Sequence, residues 1–286
     1  MTNLNILNLG AGVQSTALYL LSMDQSEPEV PKYDYAIFAD TQEEPATVYE
    51  HLEWLQSLGG PPIIIVTAGR LGDALEKGSD ASGNQRTDGG HYISIPAYTK
   101  HPTTGDRGII RRQCTADFKV KPVEKEIRRI VGATPGRPVD KSITIVQSMG
   151  LSFDEPKRVI RVTQRFMGRP KNWQVIFPLW EMGWERTDCM AYLREKVPHD
   201  VPRSACVFCP FHSDAEWRWI KENDPDGWAR SVEIDNICRT GQGLDAHRFL
   251  HKSCEPLELV DLQTRDEKMG QLKFGFIDEC EGYCGN

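Results

Sequence analysis

Two groups of residues have types and spacing that could do chemistry. The first lies near the N-terminus, where the apolar run Leu4-Asn5-Ile6-Leu7-Asn8-Leu9 ends in Gly10-Ala11-Gly12, and Val13-Gln14-Ser15-Thr16 then opens an apolar helical pattern. Small residues between a strand and a helix let backbone N–H groups approach an anion, and the helix dipole favours negative charge there. Neither Gly-Lys-Ser/Thr nor G-x-G-x-x-G follows, so the stretch predicts a phosphate-compatible turn of no standard class. The same turn also serves purely structural roles. The second group is made of thiols: Cys206 and Cys209 stand at the spacing with which two thiolates bind one metal ion or cluster.

Eight cysteines are present: Cys114, Cys189, Cys206, Cys209, Cys238, Cys254, Cys280 and Cys284. In a cytoplasmic chain of this size, metal or redox chemistry explains them better than a disulfide framework. Cys189, Cys238 and Cys254 lack partners at metal spacing and read as structural. His91, His101, His212 and His251 read as isolated, with no metal pair among them. The formal net charge of −7 argues against a broadly basic nucleic-acid surface. A local basic patch remains at Arg107, Arg111, Arg112, Lys119, Lys121, Lys125, Arg128 and Arg129. No run approaches about 18 apolar residues, and Met1-Thr2-Asn3 lacks a basic leader. The expectation is a cytoplasmic protein without a membrane partner.

The elements that must position these groups follow from periodicity. Tyr35–Ala39, Ile63–Val66, Ser142–Val146 and Val175–Phe177 are further apolar runs, separated by helical patterns such as Ala46–Leu55, Phe118–Val131 and Thr187–Lys196. Continuous apolar strands alternating with helices predict a parallel sheet covered on both faces, with ligands beyond the carboxyl ends of the strands. Gly10–Ser15 and Asp40-Thr41 both fall on that rim. Residues 78–110, rich in Gly, Ser, Asp and Thr, read as a long loop of the kind used for lids or binding. From about Ser213 the chain reads as helical and polar, with Trp217, Trp219 and Trp228.

Taken in order, these segments resemble the PP-loop ATP pyrophosphatase superfamily, and within it the phosphoadenosine-phosphosulfate (PAPS) reductase family. Gly10-Ala11-Gly12-Val13-Gln14-Ser15 lies over that family's Ser-Gly-Gly-x-Asp-Ser loop, and Asp40-Thr41 with Pro45 and Tyr49 lies over its Asp-Thr segment. Gly150-Leu151, Asp154-Glu155 and Arg158 are similar to its Gly-Ile-Arg-x-x-Glu-Ser-x-x-Arg. Pro178-Leu179-Trp180 to Val197-Pro198 is similar to its Pro-Leu-x-x-Trp block, and Arg203-Ser204-Ala205-Cys206-Val207-Phe208-Cys209 to its Cys-x-x-Cys segment. The resemblance covers roughly residues 4 to 212. It departs where Gly10 replaces the loop Ser and Gln14 its Asp.

The resemblance implies an α/β, Rossmann-like, open and mostly parallel sheet of the PP-loop/HUP type, with helices on both faces and a helical, Cys-bearing C-terminal extension. It divides the chain into 1–200, a nucleotide-binding domain, and 201–286, a Cys-rich extension on the same domain. The implied nucleotide site is Gly10, Ala11, Gly12, Gln14, Ser15, Thr16, Asp40, Thr41, Gly150, Glu155 and Arg158, with the Ser15 and Thr16 hydroxyls adding hydrogen bonds to phosphate. Asp40 is expected near adenosine or a Mg ion, and its alternative is an N-cap for a helix starting near Glu43. Arg111, Arg112 and Lys119 are expected to grip an acceptor or anion.

A 4Fe–4S cluster on Cys114, Cys206, Cys209 and either Cys280 or Cys284 is the leading implication, with zinc on the same thiolates as the rival and a metal-free Cys-x-x-Cys as a third account. With Cys280 as the fourth ligand, Cys284 becomes the catalytic or persulfide-carrying thiol, alongside Asp40 as a catalytic candidate. The implied activity is ATP-dependent adenylylation of an acceptor followed by sulfur transfer, the acceptor being a nucleic acid or a small molecule. The partners would be an adenine nucleotide, a sulfur donor or reductant protein, and a second copy in a homodimer. The alternatives are a sulfonucleotide reductase releasing sulfite and a non-catalytic nucleotide-binding subunit.

Overall fold

The apolar runs become strands of a parallel sheet. The computed structural model describes residues 2–84, 94–110, 113–133, 137–240 and 247–263. In chain order these form β1 (Thr2–Leu9), α1 (Val13–Asp24), β2 (Tyr35–Asp40), α2 (Ala46–Ser57), β3 (Ile63–Thr67) and α3 (Leu71–Lys77). Next come β4 (Ala97–Lys100), β5 (Arg107–Ile110), a π-helical turn (Thr115–Val120) and α4 (Lys121–Ile130). Then follow β6 (Ile143–Met149), α5 (Pro156–Met167), β7 (Trp173–Ile176), α6 (Pro178–Glu181) and α7 (Arg186–Arg194). The last described elements are α8 (Asp214–Asn223), α9 (Pro225–Thr240), β8 (His247–Phe249) and a 3₁₀ turn (Leu257–Leu259). Among the described residues no helix is long and apolar enough to cross a membrane.

Contacts divide the chain into two units. The first comprises Met1–Asp40, Ala46–Thr67 and Val120–Ser204; the second comprises Thr41–Pro45, Ala68–Lys119 and the residues from Ala205 onward. The sequence-based boundary near 200 thus lies close to one crossing, Ser204 to Ala205, and the remaining crossings fall inside 1–200.

The first unit holds a five-stranded sheet in the order β3-β2-β1-β6-β7, every neighbouring pair parallel. Side chains alternate across it as the period of two requires. Leu7, Leu9, Ala36 and Phe38 pack with α1, α2 and α7 through Leu18, Leu52, Leu55 and Leu193. Their neighbours Ile6, Ile37 and Ala39 belong to a second cluster with Ile145, Trp173 and, from α4, Val123 and Ile127. Both faces are therefore covered, and each fully buried Leu, Ile or Phe contributes about 1.5–3 kcal/mol of transfer free energy. One polar strut crosses the sheet: Trp173 Nε1 donates to Gln147 Oε1 at 3.0 Å, and Gln147 Nε2 donates to Asn8 Oδ1 at 2.8 Å. Its groups are mutually satisfied, as buried polar atoms must be.

In the second unit, the interval 78–110 corrects the sequence reading. It contains β4 and β5, which join β8 in an antiparallel sheet ordered β5-β4-β8. Strands of four residues with Thr99, Lys100, Arg107 and Gly108 among them are too short and too polar to leave a readable alternation. The core of this unit gathers Leu71, Phe118, Phe208, Trp217, Ile220, Ile234 and Leu250. At its edge the buried Glu43 carboxylate is held by Arg70 and Arg230, both with nitrogens at 3.0 Å. Glu43 also accepts from Gly72 N at 3.1 Å, and a Cβ on Gly72 would fall 1.9 Å from Arg230. Only glycine leaves room for that ion cluster.

Candidate functional sites

The first site is built by strand order. From β1 the chain moves outward to β2 and β3, then resumes on the other flank of β1 with β6. Such a reversal opens a crevice beyond the carboxyl ends of the two strands at the switch. The register Asn8↔Met149 brings the Leu9-Gly10 end of β1 beside Gly150-Leu151 there. Ala11 takes φ 61°, the left-handed conformation, which turns the chain sharply into α1. The N-cap of α1 is Gly12, with no side-chain capping bond. A Cβ on Gly150 would stand 3.0 Å from Ser15 N and 3.1 Å from Gln14 C, so β6 can approach the helix start only as glycine.

The loop side chains are occupied within the fold. Ser15 Oγ accepts from Gly10 N at 3.1 Å and donates to Gly12 O at 3.2 Å, tying the turn to itself. Gln14 Nε2 donates to Ser152 Oγ at 3.1 Å and to Glu155 Oε2 at 3.0 Å, while its Oε1 accepts from Arg186 at 3.3 Å. Glu155 is the hub: it accepts from Ser152 N at 3.2 Å and pairs with Arg158 through its other oxygen. The Thr16 hydroxyl, expected to bond phosphate, has a partner within the protein. Thr16 is fully buried, and its Oγ1 lies 2.9 Å from His51 Nε2. What the turn offers an anion is its backbone, with Arg158 and Arg186 beside Gln14 and Glu155.

Behind Thr16 runs a chain of rings. His51 Nδ1 lies 2.8 Å from Nε2 of the exposed His199, and Trp54 stacks on His51 with centroids 5.5 Å apart. Burial, reinforced by His199, pushes the His51 imidazole down to about 4, so it is neutral and carries one N–H for its two partners. Asp40 Oδ1 accepts from Tyr49 Oη at 2.9 Å. Since α2 begins only at Ala46, Asp40 does not cap it.

The second site lies in the other unit. Cys209 N donates to Cys206 O at 2.9 Å, closing the Cys-x-x-Cys turn. His212 braces it, with Nε2 3.0 Å from Cys206 O and its own N–H on Cys209 O, and His251 lies 2.9 Å from Asp214. Thr41, expected at the nucleotide, has its Oγ1 3.2 Å from Cys206 Sγ. Its neighbours are fastened in the same unit by Leu71 N on Thr41 O and Val207 N on Glu43 O.

Lys119 Nζ pairs with Glu44 Oε1 at 2.9 Å and interacts electrostatically with both Cys206 and Cys114. Burial alone would depress the Lys119 ammonium; the Glu44 carboxylate, together with Cys206 and Cys114, more than offsets this and raises it. Lys119, expected at an acceptor or anion, is thus paired with Glu44 in the protein. Glu44 is completely buried, and its Oε2 has no hydrogen-bond partner among the described residues. Burial, then the Glu44 charge, push the Cys206 thiol well up, against the smaller opposing pull of Lys119 and Thr41. A thiol raised in this way is a poor resting nucleophile, whereas a metal ligand deprotonates on binding.

Cys114, Cys206 and the Lys119 cation share one neighbourhood, and the soft donor set suits iron–sulfur or zinc. No three His, Cys, Asp or Glu side chains among the described residues are gathered at metal-holding distances. Arg111, Arg112, Cys280 and Cys284 lie outside the described residues. Cys189 and Cys238 are buried core thiols, and Cys254 is buried as well.

Sequence reasoning did not single out Ser152, Arg186, His51 and His199. For His51 a signal existed: it stands on the apolar face of α2 with Val48, Leu52 and Leu55 at helical spacing. Ser152 and Arg186 meet Gln14 only through the fold. Compared with family models, with curated proteins and with solved structures, the chain matches none.

Proposed function

We propose that this chain is an ATP-using enzyme of the PP-loop type that adenylylates an acceptor for sulfur transfer. The observation that carries the reading is the uncapped start of α1 at the β1/β6 switch point, where the left-handed Ala11 and the close Gly150 leave the loop backbone as the anion cradle. An acceptor oxygen attacks the α-phosphorus of ATP, pyrophosphate leaves, and the acceptor carries AMP. A sulfur nucleophile then displaces AMP. Arg158 and Arg186 suit the stabilisation of negative charge developing on the phosphates, and Glu155 supplies the carboxylate that position 14 lacks. Asp40, held by Tyr49, remains the candidate for adenosine or a Mg ion.

Cys206, Cys209 and Cys114 are the residues that would hold a 4Fe–4S cluster, with Cys280 or Cys284 as the fourth ligand. Such a group, when bound, supplies a soft site for sulfur; zinc on the same thiolates is the alternative. Lys119 and Glu44 set the charge beside it, the ammonium offsetting thiolate charge that burial would otherwise oppose. The test is anaerobic purification followed by iron, sulfide and zinc analysis, calorimetric titration with ATP, and product assays with ATP, PAPS and adenylyl sulfate. ATP binding with slow pyrophosphate release is the expected result. Sulfite release from a sulfonucleotide would replace the reading with a reductase, and no nucleotide binding would remove it.

A further inference from the structure

Helix α5 begins directly after Glu155 of the loop network and is unlike the other long helices of its unit, because it buries no residue. Its sequence, Pro-Lys-Arg-Val-Ile-Arg-Val-Thr-Gln-Arg-Phe-Met, carries Lys157, Arg158, Arg161 and Arg165 and no acidic residue, in a chain of net charge −7. The cations differ in their partners. Arg158 pairs with Glu155, and Arg165 pairs with Glu124 of α4. Lys157 and Arg161 are exposed and stand at i and i+4, on the strip of the helix adjoining that pair. Ile160, Gln164 and Met167 complete that stripe, Ile160 being 57% and Met167 79% exposed. The stripe thus presents long apolar and amide side chains together with its two cations.

At the head of the stripe, three residues before α5, stands Phe153, 48% exposed. Its ring lies 4.8 Å from that of Trp180 at a 34° tilt, and its backbone N donates to Trp184 O at 2.7 Å. Phe153 follows Ser152, which holds Gln14. An aromatic platform leading into an exposed cationic stripe with long apolar and amide side chains matches the chemistry of single-stranded nucleic acid. Its bases stack on aromatic faces and its phosphates need positive charge. A duplex buries its base faces and would leave Phe153 and Trp180 without that partner.

We propose that Phe153–Trp180 and the Lys157–Met167 stripe bind single-stranded nucleic acid beside the Gly10–Thr16 loop. This surface rests on the functional reading above only for what is done to the bound strand. It places the nucleic-acid approach on α5 rather than on the basic patch that carries Lys121 and Lys125 of α4. The test is fluorescence anisotropy of the full chain with fluorescein-labelled single-stranded RNA and DNA of mixed sequence at about 50 mM salt, repeated at rising salt. Lys157→Glu with Arg161→Glu is expected to weaken binding about tenfold or more and to flatten the salt slope, and Phe153→Ala to weaken it several-fold. Lys125→Glu is the control and is expected to leave affinity within about twofold, since it reverses one charge outside the stripe.

The RNA and DNA arms separate the two sources of the same chemistry. Equal affinity of wild type and the Lys157/Arg161 variant would overturn the proposal. So would an equal loss in the Lys125 variant, or binding to anionic phospholipid vesicles with none to either oligonucleotide. The substituted cations are exposed, so circular dichroism melting is expected to be unchanged. ATP titration is scored separately: a chain that binds the oligonucleotide through the stripe but never ATP keeps the surface and loses the enzymatic reading.

Discussion

Acidification should destabilise the unit that holds the Gly10–Thr16 loop through one side chain, His51. Buried among Thr16, Trp54 and His199, its imidazole titrates at about 4 in the folded chain, against 6.5 when unfolded. Between those two values the unfolded chain binds the extra proton and the folded chain does not. Stability therefore rises with pH across this window; it is complete above 6.5 and is lost as pH falls toward 4. At about 1.36 kcal/mol per decade, the loss due to His51 amounts to roughly 2.5 kcal/mol by pH 4.5. The perturbation is His51→Gln, which keeps a hydrogen-bonding side chain beside Thr16 but cannot be protonated. Urea unfolding of both proteins at pH 7 and pH 4.5, followed by tryptophan fluorescence, gives four free energies. The wild type is expected to lose about 2.5 kcal/mol more than the variant over that interval. Equal losses would refute the reasoning, since the decline would then belong to carboxylates that both proteins share.

Gly150→Ala places a Cβ 3.0 Å from Ser15 N, where backbone must move, and should cost about 1–3 kcal/mol and weaken ATP binding in calorimetry. Lys119→Met leaves the fully buried Glu44 carboxylate without its cation and should cost about 3–5 kcal/mol in chemical denaturation; Lys119→Met combined with Glu44→Leu should recover most of it. Glu155→Gln removes the charge that faces Arg158 and accepts from Gln14 and Ser152, and should lower ATP affinity by more than it lowers thermal stability. Differential scanning fluorimetry with and without ATP separates the two effects.

What the sequence determined by itself is local. Apolar runs such as Tyr35–Ala39 and Ile63–Val66 declare strands buried on both faces, and their alternation with helices declares a parallel sheet. Gly10-Ala11-Gly12 ahead of a helical pattern declares the turn, and Cys206-x-x-Cys209 declares paired thiols. Each of these is written within a few residues, because backbone freedom and side-chain period are properties of neighbours in the chain. Tertiary structure decided which side chains the turn leaves available. Gln14 meets Ser152, Glu155 and Arg186 across separations of 138 to 172 residues, and Thr16 meets His51 across 35. It also drew Thr41 to Cys206, 165 residues away, and assembled β4, β5 and β8 from segments too short to declare themselves. Nothing in the local period specifies such partners; they follow from strand order and packing, which is why the phosphate-compatible turn was legible and its committed side chains were not.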